Sequence, residues 1–357
     1  MRNKENIQEI LDYLQTTEEK TLNFDNEAIV AAYQKNNGTQ SLAIKILSVF
    51  GGILASFAFL GFLFLARLFD SEIGLLMVGA IFIASTIFTA KKHDKKIILD
   101  TIIVSFFIIG FLLLGFAFVT MKMNENIMCV LFIVIALLSI VIAQNYILSF
   151  ISTLIVNGSI LNLISLNNDD LIHIYIMAFV AIIVYFFLKE AKIITKNNLL
   201  SNLYTSIRVG LTFSFLAGLA FVGKEGLLPL SPDYIWLSSI VTISAVIYLL
   251  SNLLNVLNIN KTEHKVNICI FATLALLPTA FSTAISGAIL LILLSFYVNY
   301  KTGLVLGIVA FIYFIAQYYY DLNLTLLTKS ILLFSSGVLF IVLYLFTHKK
   351  LTTNEKI

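Results

Sequence analysis

The chain has 357 residues, 59% of them hydrophobic and only 12% charged, with a formal net charge of +3 and a mean hydropathy of +0.97. A soluble domain carries about 25% charge and about 45–50% apolar residues. These proportions exclude a soluble enzyme and a disordered chain, two cysteines exclude a disulfide scaffold, and a polytopic helical membrane protein remains.

The first 40 residues stand apart. They hold seven acidic and four basic residues and no long apolar run. A secretory signal begins basic and then runs apolar for a short stretch, which this segment does not do. Ile7, Ile10, Leu11 and Leu14 follow the i, i+3, i+4, i+7 spacing of an amphipathic helix. A second short helix is expected from Asp25, whose carboxylate suits the first turn, to Lys35, before the Asn37-Gly38 stop. The reading is a soluble cytoplasmic helical segment over 1–40. It either rests on the membrane face or docks a partner.

From residue 41 to 348 the chain reads as one transmembrane helical domain. A crossing takes about 20 mostly apolar residues, and lipid leaves an exposed backbone no hydrogen-bond partner, so the runs must be helices. In chain order they cover 43–66, 73–90, 98–120, 127–143, 146–166, 171–188, 203–223, 234–256, 266–281, 283–299, 303–320 and 326–346. Residues 349–357 form a short tail. The fold class is all-α, a bundle of about twelve spans. Gln144-Asn145 must make a very tight hairpin, and Pro278 to Gly287 must reverse the chain between two short spans.

Lysine and arginine collect on the cytoplasmic side of short loops. With twelve spans and the N-terminus inside, the inner side holds 19 basic residues, among them Lys91, Lys92, Lys95, Lys96, Lys189, Lys192, Lys196, Lys349 and Lys350. The outer side holds Arg67, Lys122, Lys224 and Lys329. Both termini are therefore placed on the cytoplasmic side. Tyr234 and Trp236, and Tyr318 to Tyr320, sit at the expected depth for interfacial aromatic rings.

Chemistry-bearing residues are sparse. The sequence has no phosphate-binding glycine loop, no HExxH and no CxxC. Cys129 and Cys269 read as small buried hydrophobes. His93, His173, His264 and His348 lie at or near loops on both sides, so no metal site with three or four converging ligands is expected. No cofactor, nucleic-acid contact or catalytic set is expected either.

Ionisable groups near a span are the default place to look for function. Asp100 lies one turn inside the third run and Arg208 one turn inside the seventh, at one depth. They snorkel independently, form an ion pair that pins the two helices, or serve a proton or ion relay. Ser149, Thr153 and Asn157 in the fifth run share one face at i, i+4, i+8, and Asn162 extends the polarity. That face is either helix glue or the lining of a solute cavity. Pro278 to Thr283 is either the turn between two short helices or a transporter-type helix break. Ser48, Gly52 and Ser56, and Gly303 and Gly307, are small-residue faces for close packing.

The stretch Tyr318 to Gly337, with Tyr319-Tyr320, Leu324-Thr325-Leu326-Leu327 and Lys329-Ser330, resembles the bacterial membrane family catalogued as domain of unknown function 4401. The plan of a short polar N-terminal region followed by many apolar helices is similar too. The resemblance implies a bacterial polytopic membrane protein. It also implies a small membrane-anchored partner protein named for a Gly-Asp-Tyr motif, and it supplies no catalytic residues. It makes Asp321, Thr325 and Lys329 candidates for an outer docking motif. The leading expectation is a non-enzymatic component of a membrane complex. The alternative is a small-solute transporter with a site lined by the fifth and the ninth and tenth runs.

Overall fold

The computed structural model describes residues 42–65, 71–92, 97–224, 226–231, 234–257 and 262–321, together with scattered positions between 325 and 345. The expected helices of 1–40, the tail 349–357 and Lys329 lie outside the described residues. The described part is helical, with no strand among the described residues.

The helices are α1 (Leu42–Leu65), α2 (Glu72–Lys92), α3 (Ile97–Thr120), α4 (Glu125–Ala143), α5 (Tyr146–Asn167), α6 (Leu171–Leu188), the short α7 (Glu190–Lys196), α8 (Asn198–Gly223), α9 (Ile235–Val256), α10 (Thr262–Leu276), α11 (Thr283–Tyr297) and α12 (Lys301–Asp321). A 3-10 turn over Leu277–Phe281 joins α10 to α11. Eight of these helices are long and apolar enough to cross a membrane; α10 and α11 are apolar but shorter. The chain is a multi-pass, all-helical membrane protein. Each of the first eleven expected runs falls on a helix or on α10 with its 3-10 turn. The twelfth, 326–346, is described only at scattered positions.

The helices start and stop on local polar chemistry. The side chains of Asn124, Asn145 and Asn197 each accept from the backbone N–H two residues on, which supplies a donor group with a partner that the helix itself cannot offer. The expected hairpin at Gln144-Asn145 is present: Gln144 adopts φ 48° and Asn145 opens α5 with bonds of 2.9 and 3.3 Å from Ile147 and Leu148. Asn126 and Asn167 clasp the other ends of α4 and α5 with reciprocal amide bonds of 3.3 and 3.0 Å.

The chain forms two compact units, Met1–Ala117 and Phe118–Ile357. In the first, α1 packs on α3 where Gly52 faces Val104. There Ser105 Oγ reaches the Gly52 carbonyl at 3.1 Å, and Ser56 Oγ reaches the Ser105 carbonyl at 3.1 Å. The small face expected at Gly52 and Ser56 thus serves packing. Helix α2 meets α3 where Gly79 and Gly110 bring the two backbones together. Leu63, Leu75, Ile109, Leu113 and Ala117 fill the core of this unit.

In the second unit α4 pairs with α5, α5 with α8, α9 with α11, and α11 with α12. Its core is made by Ile176, Phe179, Phe187, Phe215, Leu219, Leu249, Leu290, Leu291 and Leu294 among others. Gly303 and Gly307 seat α12 on Ser295 and Ile292 of α11, as their spacing suggests.

Candidate functional site

The polar groups of the second unit gather in three places, each built by different helices. The first is the expected polar face of α5. Ser149, Thr153 and Asn157 are buried, so this face does turn inward. Gly210 of α8 approaches so closely that a Cβ placed there would lie 2.7 Å from Thr153 Cβ. Thr153 Oγ1 donates to the Ser149 carbonyl at 2.7 Å, and Asn157 Nδ2 donates to the Thr153 carbonyl at 2.8 Å. Asn157 Oδ1 accepts from Tyr175 of α6 at 3.3 Å. Most of this polarity is consumed locally, although Ser149 Oγ and Ser152 Oγ are buried without a partner. Asn162 points elsewhere: its Nδ2 donates to Cys129 Sγ of α4 at 3.2 Å.

The second place surrounds Arg208. Its Nη1 lies 3.2 and 3.3 Å from the two carboxylate oxygens of Glu190, the first residue of α7. The guanidinium carbon stands 4.2 Å from the ring centre of Tyr300 and 5.1 Å from that of Tyr204, within the range of cation–π attraction. Tyr204 in turn stacks on Phe186 and donates to the Phe186 carbonyl at 3.0 Å. Burial pushes the Tyr300 phenol up to about 12, so it stays neutral beside the cation. Glu190, eighteen residues earlier and inside the same unit, thus holds Arg208 with its carboxylate. Asp100, which the sequence reads as snorkelling, as a partner of Arg208 or as part of a relay, lies in the first unit. Glu190 went unnoticed in the sequence because it sits in a lysine-rich loop. Its spacing from Arg208 across the α6–α8 connection was the available signal.

The third place was not foreseen. His173, expected near a loop, is 2% exposed in the first turn of α6. Its Nδ1 lies 3.0 Å from Ser238 Oγ of α9. Ser238 Oγ lies 2.9 Å from Thr283 Oγ1 of α11, which lies 2.8 Å from Ser239 Oγ. This hydroxyl ladder ties three helices together at one end of the unit. Just before it, Asp170 accepts from the backbone N–H of Ser231 at 3.0 Å and from its hydroxyl at 2.9 Å. Those bonds, the backbone one foremost, hold the Asp170 carboxyl below its ordinary value. The Ser238-Ser239 pair and the Ser282-Thr283 pair were the legible signal. Pro278 lies in the 3-10 segment between α10 and α11, the point at which both readings of that stretch, turn and helix break, place it.

Of the expected docking motif, Asp321 ends α12 and its carboxylate accepts twice from Gln317 Nε2, at 2.8 and 2.9 Å. Thr325 is exposed and its hydroxyl lies 2.8 Å from that of Thr328. Tyr320 beside them is 76% exposed.

A family model described as domain of unknown function (DUF4401) matches residues 41–350. The chain belongs to this family. No curated protein and no solved structure matches it. The match runs over both units and over the Tyr318 to Gly337 stretch, which carries the likeness read from the sequence.

Proposed function

We propose that this DUF4401 protein is a non-enzymatic component of a bacterial cytoplasmic-membrane complex. It crosses the bilayer twelve times with both termini inside, and it receives a small membrane-anchored partner of the Gly-Asp-Tyr-motif type at the outer end of α12. The observation that carries the reading is how the interior polarity is used. Thr153 is closed by Gly210, and Asn157 is taken up by its own helix and Tyr175, which suits glue better than a solute path. At the end of α12, by contrast, Tyr320 and Thr325 are exposed beside Asp321. The bias of basic residues to one side of the loops supports the orientation.

The test is co-purification of the full chain with the tagged Gly-Asp-Tyr-motif protein in mild detergent. The wild type retains the partner, and Asp321→Lys or Lys329→Glu releases it while α12 stays folded. A solute carrier would instead show a small molecule that protects Asn157→Cys from a thiol reagent. That protection, together with no partner retained, would sink the proposal.

A further inference from the structure

Between α4 and α5 runs a groove of about 460 Å³, lined by Val119, Met128, Cys129, Phe132, Ile155 and Gly158, with Glu125, Ser159 and Asn162 at its polar positions. The volume lies within the range of small-molecule sites. Every lining residue belongs to the second unit. The two helices are antiparallel neighbours. One wall runs from Glu125 to Phe132 and the other from Asn162 back to Ile155. At about 1.5 Å per residue each wall is about 10 Å long. Asn126 faces Asn167 and Asn162 reaches Cys129, so Glu125 stands at the terminal end, Asn162 about one turn further in, and Phe132 and Ile155 deeper still. The groove is amphipathic along its length, and its polar end coincides with the helix termini, where a bilayer headgroup region lies.

Among the lining residues Glu125 carries the charge, and it is negative. Asn162 spends an N–H on the Cys129 sulfur, which leaves its amide oxygen as an acceptor. The Ser159 hydroxyl oxygen is another. The carboxylate at the terminal end suits a positively charged group with N–H donors. The exposed Lys122, three residues before Glu125 in the α3–α4 turn, offers a cation at the same level for a phosphate. The deeper half, walled by Phe132 and Ile155, needs hydrocarbon.

We propose that this groove binds a membrane lipid with an ammonium headgroup, of the phosphatidylethanolamine kind, with the ammonium on Glu125 and an acyl chain along Phe132 and Ile155. An anionic lipid such as phosphatidylglycerol would set its phosphate on Lys122 as well, but it has no ammonium for Glu125 to hold.

Gly158 gives a clean handle. A Cβ there meets nothing within 4 Å and the residue lines the groove, so a methyl at 158 touches no neighbour and a larger side chain takes up groove space. The experiment is native mass spectrometry of the full chain in mild detergent, titrated with phosphatidylethanolamine and phosphatidylglycerol of matched chains. Wild type should hold one phosphatidylethanolamine and prefer it over phosphatidylglycerol by about five-fold, the scale of one partly exposed ion pair. Glu125→Gln should abolish the preference while still admitting lipid. Gly158→Phe should exclude both lipids, and Gly158→Ala should bind as the wild type does. Equal binding of the two lipids by the wild type overturns the proposal. So does full retention of phosphatidylethanolamine by a Gly158→Phe variant that melts like the wild type. Should Gly158→Phe misfold, the Glu125→Gln comparison, which changes no volume, decides alone.

Discussion

Replacing Glu190 by Gln tests whether the Arg208 cluster is held by the charge pair described above. The guanidinium is only 13% exposed and the carboxylate 36%. Exposed pairs measure about 0.2–1 kcal/mol, whereas removing one partner of a fully buried pair costs about 3–5 kcal/mol. Glu190 is too exposed for the upper figure, because solvent screens it, and Arg208 is too buried for the lower one. Two aromatic faces also keep part of the cation's stabilisation when the carboxylate is gone. We expect Glu190→Gln to cost about 1–2 kcal/mol. Arg208→Gln should cost at least as much, since it also loses the contacts to Tyr204 and Tyr300. The assay is reversible unfolding in mixed micelles, run as a double-mutant cycle. A coupling energy above about 0.5 kcal/mol between 190 and 208 is expected for groups in direct contact. The same cycle run with Asp100→Asn asks whether that residue shares the cation. A coupling indistinguishable from zero for Glu190, or a larger one for Asp100, would refute the reasoning.

Three further outcomes follow from the same contacts. Gly210→Leu forces a side chain into Thr153, 2.7 Å from the Cβ position, and should destabilise α5 against α8 by about 1–3 kcal/mol; an unchanged melting temperature would show that space exists there after all. Asn145→Ala removes the oxygen that accepts from Ile147 and Leu148 and should cost about 0.5–2 kcal/mol, read from the same unfolding curves. The Asp170 carboxyl is held below its ordinary 3.8, so its bonds to Ser231 stabilise the fold fully above that value, and the contribution disappears as pH falls through the lowered folded value. Asp170→Asn should therefore flatten the acid limb of a stability-against-pH curve, and Ser231→Ala should flatten it partly, because the larger backbone bond survives.

The helices were legible because lipid leaves the backbone no other choice. Hydropathy alone placed α1 to α6, and it placed the Gln144-Asn145 hairpin because two polar residues between two apolar runs admit nothing longer. The inward turn of Ser149, Thr153 and Asn157 was legible for the same reason: their spacing puts them on one side of a helix that has apolar residues elsewhere. What periodicity does not encode is the partner. That α8 presents Gly210 to Thr153 depends on two helices some fifty residues apart meeting in one register. Arg208 could be read as costly alone, but which acid neutralises it is a matter of three-dimensional placement. The short α7 was missed altogether, since seven residues between two long apolar runs give no period to count.

His173 shows where the sequence reading was weakest. A histidine beside two aspartates at a loop looks solvated, and only the fold brings Ser238, Ser239 and Thr283 onto it. Among the described residues, the hydroxyl-rich contacts share a pattern. Ser56 with Ser105, Thr153 with Gly210, and Ser238 with Thr283 each join neighbouring helices at small side chains. Small polar residues let helices approach and then bond across the gap, which matters where lipid provides no hydrophobic drive to associate. That economy argues against reading every buried hydroxyl as a path for solute. At Gly158, which lines the groove, a small residue instead faces open space.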